Sequence, residues 1–348
     1  MPRASELKVK MNVPRRVCFN DYFYRYYMTI SSKHRCLSVG ILFADVGCVP
    51  VSHFPSPGEL VPTEGVDLLL GGCASNVALN LARLNVTTGL CGCVGQDAFG
   101  DFVTHALEHP LIDQNIRQVP GKSTGSTMVI NVQGQDRRFI STTGANFDFG
   151  IKDIPQAWFD ESEILYIGGF LMMPLLESDE MKDFLKAYQA RGGKTILDVV
   201  LFGSRPYWDA VKPLLPYVNY FTPNNDEGKA ISGQDDPLDQ AKFFVDAGAE
   251  VSIITCGEKG VIYYSEKEKF RSDVFPVDFV GGTGSGDAFI GGFIAGLLDG
   301  ELPEQVIQRA SAQGMSCVRD TSATKSVFTR KESDEFLATH KLNITSLS

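Results

Sequence analysis

From Cys36 onward, short apolar runs alternate with amphipathic stretches of helical length. The run CLSVGILFADV (36–46) reads as one strand and VDLLL (66–70) as another. In SNVALNLARL (75–84), Val77, Leu81 and Leu84 fall on one stripe at helical spacing, and TTGLCGCVG (87–95) returns to strand character. STMVINVQGQDRRFIST (126–142) predicts a hairpin, with two β-rich runs around Gln133-Gly134-Gln135-Asp136. Beyond residue 160 the alternation is more regular. Strand-like EILYI, KTILD, VNYF and VSIIT are separated by helix-length segments such as DEMKDFLKAYQARGG and PLDQAKFFVDAGA. Apolar strands alternating with helices predict βαβ units and a parallel sheet covered on both faces. Ligands of such sheets bind beyond the carboxyl ends of the strands.

The expected fold is therefore α/β, with a doubly wound, mostly parallel sheet flanked by helices over residues 35–330. Polar-faced segments near 45–65 and 122–142 predict a small accessory β element. Residues 1–34 read as an N-terminal extension and 331–348 as a C-terminal tail. The stretch VCFNDYFYRYYMTI (17–30) is aromatic but broken by Asn, Asp and Arg, which fits neither a signal peptide nor a transit peptide. One expectation is that translation naturally begins at Met28; the other is a segment that packs on the surface or on a partner subunit.

Composition narrows the function. A net charge of −10 argues against a nucleic-acid groove, because a phosphate backbone needs a basic surface. It leaves room for a small anionic ligand, which helix N-termini bind without net positive charge. No apolar stretch is long enough to span a membrane. The eight cysteines, at 18, 36, 48, 73, 91, 93, 256 and 317, form no C-x-x-C pair and read as buried reduced thiols, which points to the cytoplasm.

The densest chemistry lies in VGGTGSGDAFIGG (280–292), where four glycines occupy the six residues before Asp287. A dinucleotide loop would need G-x-G-x-x-G after the first strand, and a P-loop would need Gly-Lys-Ser/Thr; neither is present. The third use fits. AFIGGFIAGLL after Asp287 is helix-like, so Gly284, Ser285 and Gly286 would offer backbone amides to a developing anion. Asp287 would then accept a proton from an attacking hydroxyl, or else simply cap the helix. The loop alone leaves both readings open.

Together, residues 71–101 and 280–294 resemble the two signature regions of the ribokinase-like (PfkB) family of carbohydrate kinases. The resemblance runs from Cys36 to about Phe328, with LFADV, GAN (144–146), TPNNDE (222–227) and TCGEKG (255–260) in the expected order. It implies an ATP-dependent phosphotransferase acting on a small sugar or sugar acid. Asp287 would be the catalytic base and Gly284, Ser285 and Gly286 the anion hole. Asp45, Gly72 and Asn76 would bind substrate, with Asp45 at the end of the first strand. Thr255, Gly257 and Gly260 would line the nucleotide. Asn224 and Glu227 match the N-x-x-E element that holds Mg2+, through water; Glu227 alone reads equally as a first-turn helix acid. The accessory β element would be a lid that excludes water, carrying Arg137 and Arg138, of which at most one can face the pocket. Lid edges in this family often pair, so a homodimer is implied.

The chain departs from the family at three places. Gly281-Gly282-Thr283 stand where Asp-Thr-Thr is usual, so the acid associated with a monovalent cation is missing and potassium activation is not expected. Asp198-Val199-Val200 replace Asp-Pro-Asn, and RDTSATKSV (319–327) lacks the usual adenine-side glycine. The alternatives are a nucleoside kinase, whose base would need walls such as Phe43, Phe54 or Met172-Met173, and a sugar-binding relative without catalysis.

Overall fold

The structure, a computed structural model, describes residues 34–135 and 138–347. Met28, the rest of the N-terminal extension up to residue 33, and Arg137 lie outside the described residues.

The chain enters the fold through β1 (Cys36–Gly40), every residue of which is buried. β2 (Phe43–Cys48) and β3 (Val66–Gly71) follow, then α1 (Cys73–Arg83), β4 (Thr88–Gly95), α2 (Ala98–Ala106), β5 (Ile112–Val119) and the pair β6 (Gly125–Ile130) and β7 (Arg138–Thr142). The second half runs β8 (Ile164–Gly168), α3 (Asp179–Ala190), β9 (Lys194–Leu197), β10 (Tyr220–Phe221), α4 (Asn225–Ser232), α5 (Pro237–Asp246) and β11 (Val251–Thr255). It closes with β12 (Val261–Ser265), β13 (Lys269–Ser272), α6 (Ser285–Leu298), α7 (Pro303–Cys317), α8 (Arg330–Thr339) and β14 (Ile344–Ser346).

These strands build two sheets. The larger has the order β14-β13-β12-β11-β10-β9-β8-β1-β4-β5. Its strands from β5 to β11 are parallel, and β12, β13 and β14 add an antiparallel edge. β1, β4 and β8 are buried along their whole length, as sheets covered on both faces require. The smaller sheet has the order β3-β2-β6-β7. The predicted hairpin is present as β6 and β7, paired from Ser126↔Thr142 to Ile130↔Arg138.

Three boundaries differ from the sequence reading. CLSVGILFADV is two strands in two sheets, because the chain leaves the large sheet at Ile41-Leu42. Asn146 makes the crossing possible: its Oδ1 accepts the Leu42 N–H at 2.9 Å and its Nδ2 donates to the Leu42 carbonyl at 3.0 Å. A side-chain amide thus replaces the lost ladder partners. Asp45 accordingly sits in the small sheet rather than at the end of the first strand. The lid's fourth strand is Val66–Gly71, beyond the 45–65 segment. Residues 331–348, read as a tail, contribute most of α8 and the edge strand β14.

The helix that follows the glycine loop is buried from Ala288 to Gly296. It packs between α1 and α7, which holds its first turn rigidly at the carboxyl ends of the parallel strands.

Candidate active site

The starts of three helices, α1, α4 and α6, and the carboxyl ends of the strands β9, β10 and β11 converge on a cavity of about 140 Å³. Asp198 follows β9, Thr222 and Asn224 precede α4 with Glu227 in its first turn, Thr255 ends β11, and Gly286 and Asp287 open α6; all line the cavity. A larger hollow of about 650 Å³ lies along the start of α5 and the turn after β11, and shares no lining residue with the first. The smaller one holds the reactive groups.

At the start of α6, Gly284 has φ 77° and a Cβ there would lie 2.3 Å from the Ala323 Cβ, so only glycine fits. No side chain caps this helix. The Ser285 N–H reaches the Gly282 carbonyl at a long 3.4 Å, and Gly286 is exposed with open space around it. First-turn amides with so little local engagement are placed to meet an anion. Asp287 is held from the neighbouring helix: the Asn76 Nδ2 donates to its Oδ2 at 2.8 Å. Burial pushes the Asp287 carboxyl above the ordinary range, and hydrogen bonds from Asn76 and Cys73 partly offset that rise.

Asn76 thus gives one Nδ2 hydrogen to Asp287, while its Oδ1 is buried and unpartnered. The two glycines before it have separate jobs. Gly72, with φ 91°, opens α1, and a Cβ there would lie 2.4 Å from the Ile41 carbonyl oxygen. Gly71, which sequence reasoning passed over, makes room for the Asp45 carboxylate: a Cβ on it would sit 2.1 Å from Asp45 Oδ2. Asp45 approaches from β2 with its Oδ1 buried and unpartnered. Burial lifts its carboxyl to about 6; the Thr127 hydroxyl lowers it and the Asp287 charge raises it further. Asp45 and Asp287 thus share one electrostatic neighbourhood, as two sides of a substrate site would.

Asn224 and Glu227 form a capping box. The Asn224 Oδ1 accepts the N–H groups of Asp226 and Glu227, both at 2.9 Å, and the Glu227 Oε2 accepts the Asn224 N–H at 2.9 Å. The first-turn reading of Glu227 is thus correct locally. Its carboxyl also lines the cavity, and burial pushes it up to about 7. Three acids, Asp198, Glu227 and Asp287, meet there without a lysine or arginine in the lining. That donor set suits a hard divalent cation that keeps several waters. Asp198 accepts the Tyr166 hydroxyl at 3.0 Å, and burial followed by its acidic neighbours drives it well above the carboxylate range.

Thr255 lines the reactive cavity and Gly257 the larger hollow. Gly260 lines neither; with φ 89° and a Cβ that would meet the Ser272 carbonyl oxygen at 1.9 Å, it shapes the β11–β12 turn. Arg138 is engaged outside the site, donating to Gln135 at 2.7 Å and lying 5.3 Å from the Phe54 ring. Cys73 is the other residue sequence reasoning missed: it lines the cavity between Asp198 and Asp287. Its place at the first residue of α1, one position after Gly72, was the available signal.

A half-buried carboxylate beside uncapped first-turn amides, at the carboxyl ends of a parallel sheet, is the arrangement expected of a kinase that phosphorylates alcohols. The profile of the pfkB family of carbohydrate kinases matches residues 33–330, and the chain belongs to that family of ATP-dependent phosphotransferases. Ribokinase of Haemophilus influenzae is 27% identical over 296 residues, covering 83% of this chain and 94% of that protein. 2-Dehydro-3-deoxygluconokinase of Bacillus subtilis is 27% identical over 288 residues, covering 78% and 87%. Among solved structures, a ribokinase II from E. coli in complex with ATP and Mg2+ superposes with a TM-score of 0.76 at 23% identity, covering 88% of this chain and 99% of that one, a likeness of fold. Among the described residues, no helix is long and apolar enough to cross a membrane.

Proposed function

We propose that this kinase transfers the γ-phosphoryl group of ATP to a hydroxyl of a small sugar or sugar acid in the cytoplasm, with Asp287 as base. The observation that carries the reading is the uncapped glycine start of α6, with Asp287 held by Asn76 beside it. Asp45 accepts a hydrogen bond from one substrate hydroxyl, and Asn76 Oδ1 from another. Asp287 takes the proton of the attacking hydroxyl as the O–P bond forms and the bond to ADP breaks. The amides of Ser285 and Gly286, with Gly284 setting their direction, stabilise the charge on the transferring group. Asn224 and Glu227 would hold Mg2+ through water, where it neutralises phosphate charge. Thr255 and Gly257 would face the nucleotide, and Gly260 keeps their turn in shape. Gly281, in place of an acid, supports turnover without potassium.

A sugar is favoured over a nucleoside because three of the four candidate walls for a base, Phe43, Met172 and Met173, are 4%, 5% and 0% exposed and belong to the core, while the fourth, Phe54, is exposed beside Arg138. The lid also supports a homodimer. Val46, Leu68, Met128 and Ile140 lie side by side on the face opposite Asp45, and the last three are exposed.

The test is Mg2+-dependent ADP release from ATP across sugars, sugar acids and nucleosides, with and without potassium. Turnover on a sugar or sugar acid, unchanged by potassium, is the expected result. Turnover confined to nucleosides, or silence across the whole panel, would contradict the assignment.

A further inference from the structure

The acids around Asp287 are joined by a sulfur. The Cys73 Sγ and one oxygen each from Asp198 and Asp287 lie within 4.8 Å of one another. In a tetrahedral zinc site, with Zn–S about 2.3 Å and Zn–O about 2.0–2.2 Å, donors stand roughly 3.5 Å apart. A contraction on the order of 1 Å, within the range of side-chain rotation, would bring all three donors onto one ion. Asn76 is a second, independent pointer. It is 3% exposed, it donates to Asp287, and its own Oδ1 is buried without a partner. In the sugar-free enzyme, where no substrate hydroxyl meets it, a cation-bound water would offset the cost of that buried acceptor.

We propose that Cys73, Asp198 and Asp287 bind one thiophilic divalent cation of the zinc class, and that the bound ion blocks phosphoryl transfer by occupying the base. The second half of this inference rests on the kinase reading above. On binding, the Cys73 S–H bond breaks, its proton passes to solvent and an S–metal bond forms; no oxidation state changes. An Asp287 oxygen that donates its lone pair to the ion no longer accepts the substrate proton. Sulfur is the discriminating ligand. Mg2+ takes oxygen donors and retains water, whereas zinc-class ions take thiolate readily. The enzyme would thus distinguish its working cation from an inhibitory one through a single side chain.

The experiment is an anaerobic titration of the full-length protein with Co2+, following thiolate-to-cobalt charge-transfer absorption, with Zn2+ as competitor. One ion per chain is expected, displaced by Zn2+. Cys73→Ser and Cys73→Ala, verified as folded by thermal unfolding, should lose the band. They should bind Co2+ at least about 100-fold more weakly, since the loss of even an outer-shell partner costs roughly 10–100-fold. Asp198→Asn, which leaves the thiol in place, should also weaken binding. Cys48→Ser, at a half-buried thiol in the lid, should change neither band nor affinity. Zn2+ should inhibit the wild type at concentrations about 100-fold below those that inhibit Cys73→Ser. An unchanged band and affinity in the Cys73 variants would overturn the site. Binding through Cys73 with turnover untouched by Zn2+ would overturn the inhibition. Binding through Cys73 in a protein that phosphorylates no acceptor would leave the site standing and remove the kinase reading instead.

Discussion

Two helices begin at the same cavity, each with an acid in its first turn, and they end differently. At α4 the chain satisfies itself: Asn224 and Glu227 close a capping box on each other's amides. At α6 the first turn follows a left-handed glycine with no side-chain cap, and its acid is held by Asn76 from another helix. A closed cap stabilises the helix and leaves a carboxylate for electrostatics alone. An open one keeps amides and dipole for a ligand, and needs outside packing to hold the helix in place. For α6 that packing comes from α1 and α7. On the proposed reading, chemistry belongs to α6 and support to α4.

Substitutions at the two ends should therefore differ in kind. Asp287→Asn should lower kcat by about 10³-fold or more while calorimetry shows substrate binding largely kept; near-normal turnover would remove Asp287 as base. Gly284→Ala must displace Ala323 and adopt a left-handed backbone, a strain of about 1–3 kcal/mol. Its kcat should drop by at least about tenfold, with a lower thermal midpoint; wild-type values in both would refute the open-end account. At α4, Asn224→Ala removes a cap and should cost about 1 kcal/mol in denaturant unfolding. Its kcat should fall less than that of Asp287→Asn, because its contact to Mg2+ would run through water; an equal loss would undo the contrast.

The acid cluster adds a pH effect on stability. Asp45 and Glu227 have folded pKa values raised to about 6 and about 7. Their neutral forms are favoured by folding, so this contribution is complete below about pH 4 and is lost as pH climbs to about 7. The ligand-free enzyme should show a higher thermal midpoint near pH 5 than near pH 8, and Glu227→Gln should narrow the gap by on the order of 1 kcal/mol. An identical gap in that variant would detach Glu227 from the effect.

Periodicity and glycine spacing made the parallel sheet, the hairpin and the α6 loop legible. What escaped depends on partners distant in sequence. The break at Ile41-Leu42 leaves no trace in an apolar run, because both strands are buried where they meet; only Asn146, more than a hundred residues on, bridges the crossing. Asn76 was legible as a ligand-side amide, but its bond to Asp287 spans the two signature regions and is set by helix packing. Cys73 looked like any other scattered thiol until the fold brought Asp198 and Asp287 beside it. β14 is three residues long, too short for its pattern to be read.

The central claim, a half-buried Asp287 base tuned by Asn76, is tested most directly by the pH dependence of kcat/KM in wild type and Asn76→Ala. Burial should place the wild-type acid limb above the ordinary carboxylate range. The Asn76 hydrogen bond favours the ionised form, so its loss should move that limb to still higher pH. Coincident limbs in the two proteins, or a wild-type profile flat down to about pH 4, would contradict it.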